Sequence, residues 1–63
     1  MNRATYVGEK IEENELFLSF GMTGDVELRD EHATYKYTFY PDGVNTQYYL
    51  KPEDLHFAIT SSL

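Results

Sequence analysis

The chain has 63 residues, no cysteine, and a net charge of −6 from eleven acidic and five basic side chains. Without cysteine it has no disulfide or thiolate metal site, and a core this small outweighs chain entropy only narrowly. Acidity of this degree, with no basic cluster in the sequence, excludes direct binding to nucleic acid or to an anionic membrane and favours a basic protein surface.

Residues 1–63 read as a single small β domain. No run of ~18 apolar residues is present to span a membrane, and the polar N-terminus lacks a signal-peptide core, so a soluble, cytoplasmic protein is expected. The charge is unevenly spread. Residues 1–31 carry eight acids and three bases, and residues 32–63 carry three acids and two bases.

Arg3 to Val7 reads as a short first strand closed by Gly8. Glu9 to Glu15, with four acids and a single aliphatic side chain, is expected to be an exposed loop or a turn of helix. Leu16, Leu18 and Phe20 alternate with Phe17 and Ser19 as a strand, Gly21 to Gly24 turns the chain, and Asp25 to Asp30 alternates apolar with charged residues. Glu31-His32 is the next turn.

Residues 33–55 have the clearest pattern. Tyr35, Tyr37 and Phe39 alternate with Thr34, Lys36 and Thr38, and beyond Pro41-Asp42-Gly43 the residues Val44, Thr46, Tyr48 and Leu50 alternate with Asn45, Gln47 and Tyr49. Asp-Gly between two such runs signals a hairpin. The two buried sets differ in parity, so the loop must be even in length. A loop of Asp42-Gly43, or of Pro41 to Val44, pairs Tyr37 with Tyr48 and Tyr35 with Leu50. The same reasoning pairs Leu18 with Val26 and Leu28 with Tyr35, which makes a four-strand meander.

Pro52-Glu53-Asp54 suits the first turn of a helix, and Phe57 to Thr60 has strand composition. The expectation is one helical turn over Pro52 to Leu55 and a final strand from His56 to Thr60. Gly24-Asp25-Val26, Phe39 to Gly43, Gln47 to Leu50 and Pro52 to Leu55 together resemble SH3-like small barrels, including Tudor-type modules. That resemblance covers about two-thirds of the chain and implies a fold without a function. The fold class is therefore all-β, a small twisted antiparallel meander of SH3-like barrel type. The alternative is α+β, a four-strand meander with a C-terminal helix on one face.

Chemistry is sparse. His32 and His56 have no third partner at metal-ligand spacing, the serines lie in no nucleophile elbow, and no glycine-rich phosphate loop exists. The expectation is a non-enzymatic protein without cofactor or metal. Glu9, Glu12, Glu13, Glu15, Asp25, Glu27, Asp30 and Glu31 form the candidate partner-binding surface, presenting carboxylates where a nucleic-acid-binding protein expects phosphates. Tyr40 and Tyr49 with Asp42 form an alternative aromatic surface, built as a cage for a cationic side chain is built.

The functional expectation is a stand-alone inhibitor or accessory protein, of the kind mobile elements such as phages encode, that occupies a basic surface of its partner. Two alternatives stand beside it. One is a peptide-binding adaptor working through exposed tyrosines on a cationic or proline-rich segment. The other is a self-associating structural subunit, a homodimer, because the core is small and Phe17 faces away from Leu16 and Leu18.

Overall fold

The computed structural model describes residues 2–58. Seven strands and one 3-10 turn account for the regular structure: β1 (Asn2–Tyr6), β2 (Ile11–Glu13), β3 (Leu16–Leu18), β4 (Thr23–Leu28), β5 (Tyr37–Pro41), β6 (Tyr48–Leu50), the 3-10 turn Pro52–Asp54, and β7 (Leu55–Phe57). Five strands form one antiparallel sheet in the order β6-β5-β4-β1-β7, and β2 and β3 form a separate hairpin. The protein is all-β. Its strand order is compatible, at the level of fold, with an SH3-like barrel.

The sheet is curled, and the side chains give the evidence. In a flat sheet β5 and β7 would stand about 14 Å apart, three strand spacings. Tyr37 of β5 and Phe57 of β7 nevertheless meet edge to face, with ring centroids 5.0 Å apart. The concave side holds Ala4, Tyr6, Leu18, Val26, Phe39, Tyr48, Leu50 and Leu55, of which Phe39, Leu18 and Val26 are the largest fully buried side chains.

One close approach of backbones within the sheet requires a glycine. Gly24 pairs with Ala4 on one side and Pro41 on the other. A Cβ there would land against the Tyr40 carbonyl oxygen and 2.8 Å from the Pro41 Cα, and both neighbours are backbone that cannot step aside.

The alternation assigns the inward faces of Val26, Phe39, Tyr48 and Leu50 correctly, but both registers move by two residues. Tyr37 lies opposite Leu50, not Tyr48, and Phe39 lies opposite Tyr48. Leu28 lies opposite Tyr37, not Tyr35. The cause is where turn amides find acceptors. The Asp42 N–H donates to the Thr23 carbonyl (3.0 Å) and Val44 closes a turn on Pro41 (3.3 Å), which delays the return strand. In the β4–β5 loop the Asp30 carboxylate accepts from the His32 N–H (2.9 Å), and the Arg29 N–H donates to the Lys36 carbonyl (2.7 Å). As a result Leu28 is 55 % exposed and Tyr35 49 %, outside the core expected for them.

The four-strand meander is overturned in its first strand. β3 pairs with β2, placing Leu18 opposite Ile11, and the partner of β4 is β1. Residues 9–15 thus supply a strand rather than only a loop. One inward Ile11 suffices because the other face is solvated, and Asn14 takes the positive φ (58°) that a two-residue turn needs. Thr23 and Gly24 belong to β4 and Ser19 and Phe20 to the connection, so the turn lies two residues earlier than expected, over Ser19 to Met22, with Gly21 at a φ of 94°.

The helical turn stands at Pro52–Asp54, and Leu55–Phe57 is a strand on β1, which excludes the alternative C-terminal helix from those residues. Ile59 and Thr60 of the expected last strand lie outside the described residues. Among the described residues no helix is long and apolar enough to cross a membrane.

Gly24→Ala should destabilise the fold by about 3 kcal/mol, the upper part of the usual overpacking range, measured by urea unfolding. A loss below about 0.5 kcal/mol, the scatter of ordinary surface substitutions, would contradict the close approach.

Candidate interaction surface

The β2–β3 hairpin is a two-stranded ribbon, too small to be stable alone. Two attachments fix it to the sheet. Leu18 and Ile11 join the core, and the Tyr48 phenol accepts from the Phe17 N–H and donates to the Phe17 carbonyl, both at 3.0 Å. A side chain of β6 thereby satisfies backbone groups on the edge of β3, as a strand neighbour would.

The hairpin carries Glu12, Glu13 and Glu15, all exposed, on a ribbon whose one cation is Lys10. Lys10 pairs with Glu12 at 2.9 Å and lies 5.7 Å from the Phe17 ring centroid. Among the described residues Glu13 and Glu15 have no cationic partner.

At the base of the hairpin an open cleft of about 610 Å³ runs between the β1–β2 connection and the 3-10 turn. Glu9, Glu53 and Asp54 line it, with Lys10 and Tyr6. The chain is held together here by the Val7 N–H, which donates to the Asp54 carbonyl at 2.8 Å, and by the Tyr6 hydroxyl, which donates to the Glu9 carbonyl. Burial raises the Tyr6 hydroxyl above its ordinary 10.0, and the charges of Asp54 and Glu9 add to the rise. A neutral phenol thus feels the excess negative charge of the cleft. Acids from two distant parts of the sequence, Glu9 and the pair Glu53 and Asp54, thus share one cleft, and the hairpin that begins beside it carries Glu12, Glu13 and Glu15.

The other predicted acids are placed elsewhere. Asp25 and Glu27 lie on the convex face of β4. Arg3 of β1 bridges Asp25 (3.0 Å) and Asp42 (2.5 and 2.8 Å), and Thr23 adds a bond to Asp42 (3.2 Å). Arg3 is the first cause holding the Asp42 carboxyl below its ordinary value. Glu27 accepts from the Tyr40 hydroxyl at 2.6 Å, which raises that phenol. Asp30 and Glu31 lie in the β4–β5 loop, Asp30 capping its turn and Glu31 3.5 Å from His32.

The alternative aromatic set is dispersed in function. Tyr40 and Tyr49 share the convex face, but Tyr40 is tied to Glu27, Asp42 to Arg3, and the Tyr49 ring lies 4.5 Å from the Arg29 guanidinium.

Glu53 and Asp54 were absent from the predicted partner surface. Their sequence signal, acids after a proline, describes a helix start, and only the fold carries them to Glu9. Among the described residues no group of three His, Cys, Asp or Glu side chains is placed to hold a metal ion. Comparison with protein-family models, with curated proteins and with solved structures finds no match for this chain.

A lowered carboxyl pKa stabilises the fold above its unfolded value, and that contribution is lost as pH falls through the lowered folded value. Arg3→Ala should return the Asp42 carboxyl toward 3.8, read by NMR titration of its side-chain carbon. An unchanged titration would show that Arg3 does not hold the carboxylate.

Proposed function

We propose that this is a non-enzymatic binding protein whose acidic hairpin and adjoining cleft dock on a basic surface of a partner protein, a surface of the kind that binds nucleic acid. The observation that carries the reading is the gathering of Glu9, Glu53 and Asp54 around one cleft beside Glu12, Glu13 and Glu15. An arginine or lysine of a partner would enter the cleft among the Glu9, Glu53 and Asp54 side chains, while the hairpin carboxylates follow a line of further cations. Encounter is steered by the same field. An inhibitor or accessory protein acts in this way by occupation alone.

Asp25 and Glu27 contribute less, since Arg3 and Tyr40 already engage them. The adaptor reading has one observation in its favour: the Tyr49 ring holds a guanidinium, that of Arg29. A ligand cation would first have to displace that residue, so the acidic surface is the stronger reading.

The test uses the native partner, captured from the source cells on the immobilised protein and then purified. Glu9→Lys, Glu13→Lys and Glu53→Lys together should slow association by about tenfold or more at ~50 mM salt and leave a smaller difference at ~500 mM, where screening is short-ranged. Tyr49→Ala should change the rate little. Rates equal to wild type at both salt concentrations would reduce the acidic surface to a solubility device.

A further inference from the structure

The five cations are not distributed as the acids are. Arg3 and Lys10 are each paired with carboxylates. Among the described residues Arg29, Lys36 and Lys51 make no salt bridge, although the chain holds eleven acids. The fold brings these three together. On the convex face the pairs Glu27–Thr38 and Thr38–Tyr49 form one row across β4, β5 and β6. The next row, two residues along β4, is Arg29, Lys36 and Lys51: the Arg29 N–H donates to the Lys36 carbonyl at 2.7 Å, and Lys51 continues β6 in extended backbone. Sequence separations of seven and fifteen residues hide this row from any reading of charge runs.

Like charges opposite one another on a sheet are destabilising. Among the described residues no carboxylate pairs with them. Aromatic side chains border the row: the Tyr49 ring lies under Arg29 and the Tyr35 ring 5.7 Å from the Lys51 ammonium.

We infer that this row is the docking site for the β2–β3 hairpin of a second copy of the chain. The complement is on the same molecule. Glu13 and Glu15 lack cationic partners among the described residues, and Leu16 and Phe17 beside them are exposed, so the hairpin offers carboxylates next to apolar surface where the row offers cations next to aromatic rings. Two copies that exchange hairpins reciprocally close a symmetric dimer, each tip on the row of the other. The inference rests on the reading of the hairpin as a docking element and supplies a different occupant for it.

The experiment is sedimentation of wild type, of K36E/K51E, of E13K/E15K and of an equimolar mixture of the two variants, at ~50 mM and ~500 mM salt. Wild type should sediment at twice 7.4 kDa at low salt and dissociate at high salt. Each variant alone should weaken association by at least about tenfold, and the mixture should restore a dimer, because the reversed row then faces the reversed hairpin. Far-ultraviolet circular dichroism checks that each variant is folded, and K36Q/K51Q, which removes charge without reversing it, should lose association if K36E/K51E fails to fold. Wild type at 7.4 kDa throughout overturns the inference and leaves docking on a basic partner standing. So does a dimer that survives reversal of the row, or a mixture that stays monomeric.

Discussion

The phenol of Tyr48 joins the two parts of this molecule. It stands on β6 with its ring in the core, and its hydroxyl meets both backbone polar groups of Phe17, so the hairpin that carries the acids is held against the sheet in one orientation. A free ribbon with the same carboxylates would have to be ordered on binding, at an entropic cost drawn from the binding energy. The arrangement also determines what the hairpin presents. Leu18 faces inward opposite Ile11, while Phe17 and Glu12, opposite each other, face out.

Charge is segregated as a consequence of topology. Insertion of β1 between β4 and β7 places Arg3 beside Asp25 and Asp42, so the convex face neutralises its own acids at one end. The other end collects Arg29, Lys36 and Lys51. The 3-10 turn, anchored by the bond from Val7 to Asp54, sets Glu53 and Asp54 across the cleft from Glu9. A chain with net charge −6 thereby acquires an acidic cleft and hairpin at one place and a cationic row at another. The cationic row, and the meeting of Glu9 with Glu53 and Asp54, are legible only in three dimensions.

The sequence reveals faces better than neighbours. Period-two alternation depends on the strand alone, and so Val26, Phe39, Tyr48 and Leu50 fall inward as their parity requires. Register depends on turn length, which is set here by the local bond of Asp30 to the His32 N–H and by the bonds of Asp42 to Thr23 and Arg3, the last two being contacts that no local pattern contains. The pairing of β1 with β4 spans about twenty residues and leaves no local trace. The hairpin strand over residues 11–13 has no strand signal in the sequence, because one inward aliphatic among acids has the composition of a loop. Of the candidate site, the hairpin acids were visible as composition. Their union with Glu53 and Asp54 was not, since a proline followed by two acids carries the same signal whether or not it faces another acidic segment.

The claim on which this account turns is that the Tyr48 hydroxyl holds the acidic hairpin in place. Amide hydrogen exchange in wild type and Tyr48→Phe tests it directly, because the substitution keeps the ring in the core and removes only the hydroxyl. The account predicts that the Phe17 amide loses its protection, and that exchange across residues 11–18 accelerates while β4 and β5 keep theirs. Unchanged protection at Phe17 and across residues 11–18 would contradict it.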